Sequence, residues 1–129
     1  MPGKIGSYRD LNVFHSAMEV SMAIFHLSKN SPREETYSIT DQIRRSSRSV
    51  CTNLAEAWRK RRYNAAFIAK LNDAESVACE TQVWLDYACR CRYLEMSETD
   101  KLLDQYEQII GQIVRMVGAA DKFILSVKS

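Results

Sequence analysis

The sequence predicts an all-α protein, an antiparallel up-down-up-down four-helix bundle in which residues 1–129 form one domain. Three observations carry that reading. Apolar residues recur every three or four positions along four separate stretches, the period of a helix with one buried face. The connections between the stretches are short, which makes successive helices antiparallel neighbours. Helix breakers are few, two Pro and four Gly, and no Pro or Ser/Gly tract reads as a linker or disordered arm.

Ser7-Tyr8-Arg9-Asp10 opens the first helix, Ser7 capping it and Asp10 reaching back to the cap residue's amide. Leu11, Phe14, Met18, Met22 and Phe25 form its expected core face to about Leu27, with Ala17, Ser21 and Ile24 alongside. Lys29-Asn30-Ser31-Pro32 ends it, because Pro lacks the amide and biases the preceding residue away from helical geometry. Ser31, Pro32 and Glu34 suit a short helical turn at its cap, first and third positions. Ser38 with Asp41 repeats the capping pattern, so a long second helix is expected from there to about Arg62. Tyr37 and Ile39 would staple its start to the core, and Ile43, Val50, Leu54 and Ala57 would face inward.

A tight turn at Tyr63 and Asn64 leads to the third helix. Phe67, Leu71, Ala74, Ala78, Thr81, Leu85 and Ala88 alternate between spacings of four and three, a heptad seam of mostly small knobs. Ile68, Val77, Trp84 and Cys91 add a second stripe. The chain turns at Tyr93 to Met96, and Ser97 with Asp100 caps a fourth helix. Its expected face is Leu102, Tyr106, Ile109, Ile113, Met116, Ala120, Phe123 or Ile124, and Val127. Gly111 and Gly118 are expected to admit close helix packing. Two apolar stripes per helix exceed what a lone small bundle buries, which predicts a homo-oligomer.

Charge is unevenly placed. Of 18 Lys and Arg, seven lie between Arg44 and Arg62: Arg44, Arg45, Arg48, Arg59, Lys60, Arg61 and Arg62. Against the single acid Glu56 they give +6, and the other eleven cations against fifteen acids leave −4 for the rest of the chain. On one helix Arg48, Arg59 and Arg62 would fall within about 60° of Arg44, a basic stripe apart from the apolar arc. Such a stripe fits the phosphate backbone of RNA or DNA, but Arg44 and Arg45 could equally serve structural pairs with Glu56 or Glu80. Asn53 suits a hydrogen bond within or between subunits, and Trp58 and Trp84 suit core or interface anchors.

Catalytic inventories are missing. The chain has no Gly-rich phosphate loop, no His-Glu-x-x-His, no Glu-x-x-His pair and no nucleophile with a His at a recognisable spacing. No cofactor, small-molecule substrate or metal is implied, since His15 and His26 have no further ligands at metal spacing and Cys89 and Cys91 point apart on a helix. No stretch approaches a bilayer span of about 20 apolar residues. The N-terminus is too short and polar for a signal peptide, and Cys51, Cys79, Cys89 and Cys91 stand in helical patterns rather than at loop positions suited to disulfides. A cytoplasmic protein is the expectation.

Several motifs together resemble a known family. Ser7-Tyr8-Arg9-Asp10-Leu11-x-Val13-Phe14, Pro32-x-Glu34-Glu35, Gln42-Ile43-Arg44-Arg45, Asn53-Leu54-Ala55-Glu56, Glu80-Thr81-Gln82 and Tyr93-Leu94 occur in the order and spacing of the 23S ribosomal RNA intervening-sequence proteins. The resemblance implies a four-helix bundle closing into a homopentameric ring. It also makes Asn53, Glu56, Glu80 and Gln82 motif positions. The similar accessory proteins of diversity-generating retroelements bind nucleic acid and a reverse transcriptase, so the resemblance extends the expected partners to both. This chain departs from the family pattern at Asn30-Ser31, at Ala57 and at Arg92, where an aromatic, a Gly and a Gly are usual.

Two functions follow. In one, an oligomer binds RNA or DNA backbone through the basic stripe, with little sequence preference. In the other, a structural adaptor recruits a protein partner and uses its arginines in internal or inter-subunit salt bridges. Whether the cations are exposed or consumed in pairs separates them.

Overall fold

The computed structural model describes residues 5–124. Among these there are four α-helices and no strand: α1 (Asn12–Ser28), α2 (Ile39–Arg59), α3 (Asn64–Arg90) and α4 (Met96–Gly118). Short 3-10 turns lie at Tyr8–Asp10, Arg33–Glu35 and Ala120–Lys122. α2 packs on α3, α3 on α4, and α1 on both α2 and α4, so α1 and α3 lie across the bundle from each other.

The core is built where the seams of α3 and α4 predict it. Phe67, Leu71, Ala74, Ala78, Thr81, Leu85 and Ala88 are all buried on α3. Leu102, Tyr106, Ile109, Ile113 and Met116 are buried on α4, and Ala120 just beyond it. Small knobs on α3 leave room for the Tyr106 ring, which is fully buried between helices. Ile43, Val50, Leu54 and Ala57 complete the core from α2. Of the second stripe on α3, Ile68, Val77 and Trp84 are partly buried, while Cys91 is exposed at the helix end.

α1 buries one side of the expected face, with Leu11, Ala17, Ser21 and Ile24 inside as expected and Phe14 packed against the core, and turns the Met18–Met22 side outward. Val13, Ala17, Val20, Ser21 and Ile24 are buried, whereas Met18 and Met22 are 41% and 46% exposed. Both stripes have helical spacing. The slimmer one packs because its β-branched and small side chains allow close approach, and Ser21 and Ser28 satisfy their hydroxyls on the Met18 and Phe25 carbonyls at 2.9 and 2.8 Å.

Most expected caps shift. The Ser7–Asp10 box forms, with Arg9 N–H donating to Ser7 Oγ at 3.1 Å and Ser7 N–H to Asp10 Oδ2 at 3.1 Å, but it closes the 3-10 turn. Extended Leu11 then separates that turn from α1. Pro32 rather than Ser31 stands at the cap of the Arg33–Glu35 turn. Ser38 precedes α2 without a side-chain cap bond, and Tyr37 is 95% exposed, so it staples nothing. α4 starts two residues earlier than Ser97 suggests, with Glu98 accepting from the Glu95 N–H at 3.4 Å. It ends at Gly118, partly buried Phe123 and Ile124 follow, and Val127 lies outside the described residues. Gly111 and Gly118 admit no close neighbour. A Cβ at Gly111 would meet only an Arg115 nitrogen at 3.4 Å, and one at Gly118 nothing within 4 Å.

Candidate nucleic-acid interface

α2 carries the basic segment along its edge with α1, and the fold divides that segment into two clusters. The first forms around the ring of Phe25, with Arg44 4.8 Å, Lys29 4.8 Å and Arg48 5.7 Å from its centroid. Arg44 Nε donates to Ser28 Oγ at 2.7 Å. This end of α1 is the negative pole of its dipole, which favours the cations gathered there. Arg44 is half-buried and engaged within the chain, while Arg48 and Arg45 are exposed.

The second cluster lies about 22 Å along, from the 1.5 Å rise over fifteen residues. Here the expected continuous stripe breaks, because α2 stops at Arg59 and Lys60 leaves helical geometry at φ −95°, ψ 17°. Arg61 folds back flat on Trp58, 3.4 Å from the ring centroid, and its Nε donates to the Trp58 carbonyl at 2.7 Å, capping the helix end from within. Partial burial lowers the Arg61 pKa below the ordinary guanidinium value. A recess of about 220 Å³ opens beside it, lined by Gly6–Arg9, Trp58, Arg59, Arg61 and Arg62. Lys60 is exposed and stands outside the recess.

No acid neutralises either cluster. Among the described residues the one ion pair is Lys70–Glu56, at 2.9 Å, and Glu56 raises the Lys70 pKa by hydrogen bond and charge. The pairing of Arg44 or Arg45 with Glu56 or Glu80, one of the two readings the sequence left open, does not form. Glu56 is taken by Lys70, and Glu80 accepts from Trp84 Nε1 at 3.0 Å. Sequence reasoning missed Arg9, Lys29 and the aromatic rings beneath the cations. Arg9 was legible as a cation inside a capping box, but only the fold brings Tyr8–Asp10 against the end of α2.

The model of the 23S rRNA-intervening sequence protein family matches residues 9–115. The chain belongs to this family. It is also similar to the crystal structure of a protein of unknown function from the S23 ribosomal protein family of Bacteroides thetaiotaomicron. The TM-score is 0.75 and the identity 27%, covering 82% of this chain and 95% of that one. No curated protein matches.

Positions that this intervening-sequence family member shares with the family pattern make bonds both between and within its elements. Tyr93 donates its hydroxyl to Glu35 Oε2 at 2.7 Å, tying the α3–α4 turn to the Arg33–Glu35 turn and pushing the tyrosine's pKa up to about 12. Gln82 Nε2 donates to Glu107 Oε2 at 2.8 Å across α3 and α4. Asn53 Nδ2 donates to the Ser49 carbonyl at 2.9 Å and to Ser49 Oγ at 3.1 Å. Asn53, Glu56, Glu80 and Gln82 thus all have partners inside the chain, and none of these positions pairs with a cation of the Arg44–Arg62 segment.

Proposed function

We propose that this chain is a non-catalytic, cytoplasmic, homo-oligomeric nucleic-acid-binding protein. It meets the phosphate backbone of RNA or DNA through Arg48, Arg59, Lys60, Arg61 and Arg62 along α2 and its end, with exposed Arg45 on the outer face of the same helix. The observation that carries the reading is that no cation of the +6 segment has an acid partner among the described residues. Two clusters about 22 Å apart on one helix edge suit a charged strand lying along it. Nothing there resembles polar side chains set to read a groove, so little sequence preference is expected.

The up-down-up-down topology belongs to the same proposal. Cross-helix partners in opposite order support it: Ser46 with Thr81 and Glu56 with Lys70 between α2 and α3, and Gln82 with Glu107 and Phe67 with Phe123 between α3 and the end of α4. The pentameric ring comes from the family resemblance, as does a reverse transcriptase as protein partner. A ring would repeat the basic edge and multiply its attraction for a polyanion.

One observation favours the adaptor reading, namely that exposed Met18 and Met22 flank the first cluster on α1. Filter binding across a salt series separates the two. Backbone binding makes log affinity fall with log salt by about 0.9 per phosphate on duplex DNA and about 0.7 on single strands. Replacing Arg59, Arg61 and Arg62 together by Gln then weakens binding to all sequences alike and flattens the slope. Absence of binding by the parent at low salt gives the adaptor its place.

A further inference from the structure

The recess at the end of α2 differs in kind from the exposed cations along the helix. Its four charged lining residues are Arg9, Arg59, Arg61 and Arg62, and none of its lining is acidic. The nearby carboxylate is already engaged, Asp10 Oδ2 accepting from the Gly6 and Ser7 amides at 2.9 and 3.1 Å. Two of the guanidinium groups are already laid on aromatic rings, Arg9 4.7 Å from the Tyr8 centroid and Arg61 3.4 Å from that of Trp58. Stacking restricts their rotamers before any ligand arrives, which lowers the entropic cost of binding. With Arg61 Nε committed to the Trp58 carbonyl, its two terminal nitrogens are left for an anion.

Size and charge select the anion. The recess measures about 220 Å³. That takes a phosphate group and falls below the roughly 300–1,000 Å³ of pockets that enclose drug-sized ligands. A phosphate inside a strand is a diester with a single charge and two free oxygens. A terminal monoester carries about −1.5 to −2 and three acceptor oxygens, a closer match to converging guanidinium groups, each with five donors. We propose that this recess receives the terminal phosphate of a nucleic-acid strand. Arg9 and Arg61 form the fixed fork, and Arg59 and Arg62 close over the free oxygens. The assignment rests on the nucleic-acid reading above and says where a strand would begin on the surface.

The experiment is fluorescence anisotropy with a 3′-labelled single-stranded RNA 20-mer carrying either a 5′-monophosphate or a 5′-hydroxyl, at one salt concentration. The full-length parent is expected to favour the phosphorylated end by about tenfold, the scale of one charge-assisted hydrogen bond. Arg9→Gln brings the ratio to near one, and Lys60→Gln, outside the recess, lowers both affinities and keeps the ratio. Should Arg9→Gln lower the melting temperature, Arg62→Gln is read for the same ratio. Equal affinity of the parent for the two ends overturns the terminal-phosphate site and leaves the backbone reading standing. Failure to bind either RNA overturns both.

Discussion

At Arg92 the backbone enters the left-handed region, φ 66°, as α3 ends. The Arg92 N–H bonds to the Cys89 carbonyl at 2.9 Å and the Tyr93 N–H to the Ala88 carbonyl at 2.8 Å, the paired closure that Gly at this position makes easiest. A side chain there costs roughly 1–2 kcal/mol, against roughly 0.5–1 kcal/mol of extra chain entropy for Gly. Arg92→Gly should therefore raise stability by about 0.5–1 kcal/mol, read as a higher urea midpoint at unchanged slope. The Tyr106 hydroxyl is buried without a hydrogen-bond partner. Neighbouring Thr81 already has its oxygen 2.8 Å from the Val77 carbonyl and 2.9 Å from Ser46 Oγ. Tyr106→Phe should then be neutral or stabilising, because it removes a buried polar group and orphans none. The two tyrosines also set an alkaline limit. Hydrogen bonding to Glu35 raises the Tyr93 pKa to about 12 and burial raises that of Tyr106, above an ordinary value near 10. Their contribution is complete below pH 10 and is lost as pH rises toward 12. Chemical melts from pH 9 to 12 should show that fall, and Tyr93→Phe should make it shallower. Arg92 could be seen in the sequence as a cation where the family has Gly. The unpartnered Tyr106 hydroxyl could not, because it depends on how Thr81 is used.

Within the elements, α3 and α4 were readable because each offers one dominant seam, whereas α1 offers two at the same period and only tertiary packing chooses between them. Phe14, Met18, Met22 and Phe25 are the larger apolar residues, yet Val13, Ala17, Val20 and Ile24 are the ones that fit against α2 and α4. Hydrophobicity ranks the first stripe higher, and shape decides for the second. The end of α2 was misplaced because helical period carries on through Arg62 in the sequence, whereas in the fold Arg61 turns back onto Trp58 and its Nε donates to the Trp58 carbonyl. The cation clusters were half legible for the same cause, since spacing along α2 was visible and Arg9 and Lys29 arrive from other elements. The seam itself supplies a test. Ala74 and Ala78 are fully buried, so Ala74→Leu or Ala78→Leu should overpack the core and cost roughly 1–3 kcal/mol. Lys101 is exposed on α4, and Lys101→Ala should leave the chemical melt almost unmoved. A melt unchanged by both leucines would contradict the packing of α3.

For the whole molecule, two pairs of exposed apolar residues fall on helices that face away from each other, and this bears on how copies would join in the proposed ring. Met18 and Met22 lie on α1, Val83 and Tyr87 on α3 at 47% and 53% exposure, and α1 and α3 are diagonal in the bundle. Charge divides the same way, with Arg44 and Arg48 on the α1–α2 edge and exposed Asp73, Glu80 and Asp86 on α3. A two-fold dimer needs one self-complementary patch, whereas two different, complementary patches on opposite sides make head-to-tail contacts that can close into a ring. Burying such patches favours association by about 25 cal/mol per Å² of apolar surface. Light scattering of the parent should therefore return a multiple of 14.8 kDa at micromolar concentration. Met18→Glu places an acid opposite acids, and Val83→Lys a cation opposite cations, so each variant alone should run as a monomer with its helical content kept. Mixed in equal amounts they should form dimers and stop there, because the sound α1 face of one can still meet the sound α3 face of the other. A self-complementary α1 dimer would behave differently, with Val83→Lys still dimeric and the mixture restoring nothing to Met18→Glu. A parent that scatters as a monomer would remove the ring altogether and leave the basic edge to act one copy at a time.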